Sequence, residues 1–159
     1  MLQTVSDPPS LSIANLSYDT DCISEVETAL LALADPCLDS RISLIGPNTI
    51  ELLCALIHRG YARASATRVC DFPQTHSADV AIVAHVGAPD AIGRAVAHAR
   101  RVLTPLGAVA MHLPGDSALT QHARRSLLLH GFGAIRTRTV GGATLLRAEL
   151  PLYGRLACA

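Results

Sequence analysis

The chain has no lysine and no tryptophan, and only two phenylalanines and three tyrosines among its 159 residues. With so few rings to stack against bases, binding of single-stranded nucleic acid has little to rest on. Charge adds nothing to it: thirteen arginines balance thirteen aspartates and glutamates, leaving no net field to draw a polyanion or an anionic membrane. Arginine supplies every cation on every segment, so its exclusive use reads as a compositional habit rather than a binding signal. No apolar run approaches eighteen residues free of charge, and the first residues lack a basic stretch before an apolar one. Neither a spanning helix nor a secretory leader is expected. Five cysteines, Cys22, Cys37, Cys54, Cys70 and Cys158, are odd in number and form no C-x-x-C pair or regular spacing. That excludes a disulfide framework and a zinc knuckle, and a reducing, cytoplasmic setting is expected. Cys54 fits an apolar helix face and is expected in the core.

What is present is apolar. Half of the residues are hydrophobic and 16% are charged, which describes one compact domain with a sizeable core. Residues 1–18, rich in Ser, Pro and Asn and broken at Asp7-Pro8-Pro9, read as an arm, and 19–159 as a single domain. Charge is uneven along the chain. Residues 1–58 hold eight acids and one Arg, and 59–159 hold five acids and twelve Arg, so the two parts carry −7 and +7. Opposite charges of this kind help the ends of one domain pack, or favour head-to-tail association or an anionic ligand near the Arg-rich half.

Ile23, Val26, Leu30 and Leu33 recur at helical spacing behind Asp21 or Ser24 as candidate N-caps, and Pro36 stops the run, so a helix is predicted over 22–34. Arg41-Ile-Ser-Leu-Ile-Gly46 is a strand, Pro47-Asn48-Thr49 a tight turn, and Ile50, Leu53, Cys54 and Ile57 one face of a helix ended by Gly60. A second strand is predicted over 62–70, and the apolar run 78–84 is a strand buried on both faces. Next comes a helix over 89–103 with Ile92, Val96 and Ala99 inward and Arg94, His98 and Arg101 outward. Pro105 and Gly107 punctuate before a strand over 106–113, and a helix follows over 117–130. Strands 134–140 and 143–150 flank Gly141-Gly142, a two-residue hairpin turn by its chemistry. Alternation of this kind with right-handed crossovers predicts an α/β fold: a doubly wound, mostly parallel sheet, helices on both faces, closed by an antiparallel hairpin.

The order of elements resembles the class I S-adenosylmethionine-dependent methyltransferases. Ala78-Asp79-Val80-Ala81-Ile82-Val83 resembles the family's central strand with its leading Asp, and 99–110 the helix, turn and strand after it. Leu129-His-Gly-Phe132 and 139–146 resemble the terminal helix and hairpin. The resemblance implies S-adenosylmethionine as cofactor, a small-molecule acceptor, and a first turn of the form Gly-x-Gly-x-Gly, of which Gly46 is kept, Asn48 is a residue tolerant of a left-handed backbone, and Ile50 departs. It also implies an acid after the second strand to hold the ribose hydroxyls, for which Asp71 is the candidate. Only six residues separate Asp71 from Ala78, too few for the helix and edge strand that carry adenine contacts in the family. The chain resembles a shortened member. If Ile50 and Leu44 fill the space at the first strand's exit, no adenosyl group fits.

Ligands of open parallel sheets bind beyond the carboxyl ends of the strands, here Gly46 to Thr49, Cys70 to Asp71, His85 to Gly87 and His112 to Asp116. His85, after the central strand, is the candidate base for removing a proton from an acceptor hydroxyl or amine; the alternative is a loop histidine bonded to backbone. His112 reads as a half-buried imidazole. Cys70, Asp71, His85 and His112 suit zinc by type but come from separate strands without the local spacing of a metal site, so no metal is expected. No G-x-S-x-G elbow or phosphate-cradling loop is present, and a dinucleotide fingerprint lacks its third Gly. Arg124 and Arg125 with Arg136 and Arg138 form one basic patch if they converge, or are solvated faces otherwise. Two readings follow: methyl transfer to a small molecule, with Gly46, Asn48 and Asp71 on the cofactor and His85 at the acceptor; or a non-catalytic binding or association module on the same scaffold. In either case a homodimer through a sheet edge or the outer helices is expected.

Overall fold

The computed structural model describes residues 24–69, 71–72 and 74–151. The arm at 1–18, Asp21, Cys22, Cys70 and Cys158 lie outside the described residues.

Helix α1 (Glu25–Ala34) begins where Ser24 adopts an extended backbone and caps it. The Glu27 N–H donates to Ser24 Oγ at 3.2 Å and the Ser24 N–H to Glu27 Oε2 at 3.0 Å, a reciprocal capping box worth about 1 kcal/mol. At the other end Asp35 turns left-handed before Pro36. The strands that follow are β1 (Ile42–Ile45), β2 (Ala64–Thr67), β3 (Ala78–Val83), β4 (Leu103–Pro114), β5 (Gly133–Val140) and β6 (Ala143–Glu149). Helix α2 (Ile50–His58) joins β1 to β2, α3 (Pro89–Val102) joins β3 to β4, and α4 (Ser117–Leu129) joins β4 to β5. They form one six-stranded sheet in the order β2-β1-β3-β4-β6-β5, parallel from β2 to β4 and antiparallel in the last two pairings. This is the doubly wound α/β architecture that the sequence predicts. Gly141 and Gly142 both have positive φ, 55° and 78°, so they make the hairpin turn from β5 to β6.

Period-two alternation sends one set of side chains to each face. Ile45, Ala81, Val83, Val109, Met111, Leu113 and Leu146 meet α3 and α4; Ile42, Leu44, Val80, Ile82, Ala110 and Leu145 meet α1 and α2. On the second face Arg147 of β6 reaches back and donates to the Leu33 carbonyl at 3.0 Å, supplying the cation that the last turn of α1 lacks. At the amino ends of the strands, Arg41 holds Asp79 through two guanidinium contacts of 2.8 and 3.2 Å. The hydrogen bond to Arg41 keeps the Asp79 carboxyl below the usual carboxylate range. The leading Asp of the central strand is therefore a clamp between β1 and β3, at the end of the sheet opposite the crevice.

Four local expectations change. In α2 the buried residues are Leu52 and Leu56, while Ile50 is 71% exposed and Cys54 is exposed. The helix is apolar nearly all round, so its period did not choose a face; the sheet did. In α3 His98 is buried at 5% exposure rather than outward. Pro105 and Gly107 do not delay β4, which starts at Leu103 directly after α3; they lie in an irregularity where the β3 register shifts between Ala78 and Val80. Arg136 and Arg138 pair across β6 with Arg147 and Leu145, on the α1 side of the sheet, whereas Ala123 and Leu127 anchor α4 on the other. The four arginines do not form one patch.

Between β2 and β3 no described residue is helical or extended into a ladder, so among the described residues β2 is an edge. Its composition fits: Ser65 donates to the Ile42 carbonyl, and the Thr67 and Ser43 hydroxyls meet at 3.2 Å, so the polar side chains at this edge are satisfied.

Candidate functional site

The chain reverses direction across the sheet between β1 and β3, since β2 lies to one side and β4 to the other. Helices then diverge at the carboxyl ends of these two strands, and a crevice opens there. It encloses about 480 Å³ and is lined by Gly46 after β1, Arg68 and Val69 after β2, and His85 and Val86 after β3, with Ala91 and Arg94 of α3 as its wall.

Gly46 makes the crevice possible. Its φ is +134°, and a Cβ there would collide with the Ala84 carbonyl oxygen. Asn48 does adopt the left-handed backbone, φ 55°, but is exposed and does not line the crevice. Asp71 does not line it either: its carboxylate accepts from the Arg68 N–H at 2.9 Å, closing the turn after β2. Ile50 and Leu44 leave the space open, the first pointing to solvent and the second fully buried against the helices of the other face.

His85, at φ 57°, stands on the edge of the crevice with its other side against two partners that come from elsewhere in the chain. Its Nε2 lies 3.7 Å from Glu27 Oε1 of α1, and its ring meets that of His112 on β4 edge to face, centroids 5.4 Å apart. Glu27 thus serves the cap of α1 with one oxygen and His85 with the other. Among the described residues no group of three or more His, Cys, Asp or Glu is arranged to hold a metal ion.

Sequence reasoning missed Glu27, Arg68, Arg94 and His98. The Ser24-x-x-Glu27 spacing was there to be read as a capping box, but nothing local says that the same carboxylate reaches His85. Arg68 lies directly at the β2 exit, three residues before the candidate Asp71. His98 follows Arg94 by one helical turn and so shares its face of α3; its Nε2 is buried without a hydrogen-bond partner among the described residues.

Burial pushes His98 below the ordinary imidazole value of 6.5, with the Val69 carbonyl and Asp71 opposing. Burial also lowers His112, helped by neighbouring His85 and opposed by Glu27. In both cases the unfolded chain takes up a proton at a higher pH than the folded one, so stability is held above 6.5 and is lost as pH falls from there toward the folded values. Thermal unfolding between about pH 8 and about pH 5 is expected to show a falling midpoint, with a shallower fall in His98→Leu. An equally steep fall in that variant overturns the assignment to His98.

No family model and no curated protein matches the sequence. Solved structures do match the fold. The ribosomal protein L11 methylase of Lactobacillus delbrueckii subsp. bulgaricus superposes with a TM-score of 0.60 at 13% identity, over 77% of this chain and 75% of that one. A tRNA methyltransferase of Aquifex aeolicus gives 0.58 at 12% identity over 80% and 69%, and an S-adenosylmethionine-dependent methyltransferase of Thermotoga maritima 0.52 at 14% over 79% and 92%. The fold is that of the class I S-adenosylmethionine-dependent methyltransferases.

The residues present fit that cofactor only in part. Gly46 provides the close backbone approach and the crevice has room. The remainder does not fit: among the described residues no acid lines the crevice, Asp71 is turned to the Arg68 backbone, and the two arginines that line the space carry the same sign of charge as a sulfonium. Among the described residues no helix or strand lies between β2 and β3, where the resemblance implied the adenine contacts.

Proposed function

We propose that this protein is a small-molecule binding module built on the methyltransferase fold, and that its crevice does not serve S-adenosylmethionine. The observation that carries this reading is the lining of the crevice, which pairs the Gly46 turn with Arg68 and Arg94 and, among the described residues, contains no carboxylate. A carboxylate can accept from both hydroxyls of a ribose diol, and arginine, a donor only, cannot take that part. Calorimetric titration with S-adenosylhomocysteine is expected to give no heat at millimolar ligand. Micromolar binding that disappears in Asp71→Ala overturns the reading and restores Asp71 as the ribose ligand.

Methyl transfer to a small-molecule acceptor is the second reading, favoured by one observation: His85 joins the crevice to Glu27 and His112, an arrangement suited to moving a proton. The same titration decides between the two.

Cytoplasmic residence and self-association belong to this proposal. No helix among the described residues is long and apolar enough to cross a membrane. Ile50, Cys54 and Ile57 make an exposed apolar stripe at helical spacing on α2, a surface suited to meeting a second copy. Sedimentation equilibrium is expected to show a dimer that Ile57→Glu dissociates; a monomer throughout the concentration range overturns the association.

A further inference from the structure

The crevice has a definite chemical preference. Its walls are Pro47, Val69, Val86, Ala88 and Ala91, so most of a ligand's body would meet carbon. Among the described residues its charge has one sign. Arg68 and Arg94 line it, and neither makes an ion pair with a described residue. The nearest acids by sequence are otherwise placed: Asp71 accepts from the Arg68 backbone, and Asp90, in the first turn of α3, does not line the space. That first turn adds to the field. Ala88, its N-cap, has only a methyl group and no acceptor for the free N–H groups, and both Ala88 and Ala91 border the crevice. Volume agrees with a small organic molecule, since ligand sites of that class enclose about 300–1,000 Å³.

From this we infer that the crevice between β1 and β3 takes an amphipathic organic anion, its carboxylate, phosphate or sulfonate met by Arg68 and Arg94 and its apolar body laid on Val69, Val86, Ala88 and Ala91. The inference rests on the binding-module reading and names its ligand class. Arginine holds such oxyanions through charge-assisted hydrogen bonds that are roughly twice as strong as neutral ones, and the apolar walls exclude competing water. A cation of the same size gains the walls and loses the arginines.

The test uses 8-anilinonaphthalene-1-sulfonate, followed by fluorescence, on the full chain. Saturable binding to a single site is expected. Arg68→Gln with Arg94→Gln is expected to weaken it by roughly tenfold or more, the value of one lost charge-assisted contact or more. Arg125→Gln, an exposed α4 arginine outside the crevice, is expected to leave it unchanged. Both crevice arginines are exposed, so the double variant keeps the fold, which circular dichroism checks. N-phenyl-1-naphthylamine, which has a similar apolar body and no sulfonate, is expected to bind at least about tenfold more weakly. Equal binding of the neutral probe, or equal binding by the double variant, overturns the inference, as does the lack of a saturable site. Displacement of the sulfonate by micromolar S-adenosylhomocysteine overturns the binding-module reading itself. Failure of both ligands to bind overturns only the ligand class.

Discussion

Gly46→Ala is expected to destabilise the protein by about 2–4 kcal/mol, the combined cost of a strained backbone and a displaced strand. The residue holds φ at +134°, where an L side chain rarely sits, and its Cβ would strike the carbonyl oxygen of Ala84, directly after β3. That carbonyl belongs to the residue whose N–H donates to Ile45 at 3.0 Å, so moving it loosens the β1 and β3 pairing at the point where the crevice opens. Gly93→Ala is the control. Gly93 lies within α3, has no neighbouring atom within 4 Å of an added Cβ, and carries no unusual φ. Alanine there is expected to stabilise by about 0.5–1 kcal/mol through helix propensity. Urea unfolding of the two variants and the parent measures both. A loss below about 1 kcal/mol in Gly46→Ala means that the turn after β1 is looser than described.

Leu30→Ala is expected to cost about 3 kcal/mol, within the range of 2–5 for truncating a fully buried leucine that leaves a cavity. Leu30 has no exposed surface and packs in the cluster that joins α1 to β1, β3, β4 and β6. The consequence reaches the site. Helix α1 carries Glu27, and Glu27 stands 3.7 Å from the His85 ring only while α1 is seated on the sheet. Hydrogen exchange is therefore expected to rise along α1 in Leu30→Ala by much more than along α3, whose contacts lie on the other face. Uniform acceleration in both helices would mean that α1 does not open as a separate unit.

Most of the fold is legible in the amino-acid sequence because its signals are local. Ser24 before an apolar helix period, Gly46 after Ile-Ser-Leu-Ile, the apolar run at 78–84 and the Gly141-Gly142 turn each depend on neighbours a few residues away. The resemblance to the methyltransferases rests on these, and so does the shortening between Asp71 and Ala78. The site was legible only in outline. Gly46 and His85 follow strand ends and can be placed in the crevice from topology alone. Asn48 and Asp71 were chosen by position in a motif, and neither lines the space.

Local signals set the succession of strands and helices, the turns, and the end of the sheet where the crevice opens, since period, caps and glycines act over one or two turns of chain. Tertiary structure decided the rest. Which face of the all-apolar α2 is buried, that His98 turns inward, that Arg124 and Arg138 lie on opposite sides of the sheet, and that Glu27, His85 and His112 meet are outcomes of packing between elements distant in sequence. The charge of the crevice is of the same kind. Arg68 and Arg94 are 26 residues apart and border one space only because β2 and α3 flank the same gap in the sheet, a juxtaposition that no local pattern encodes.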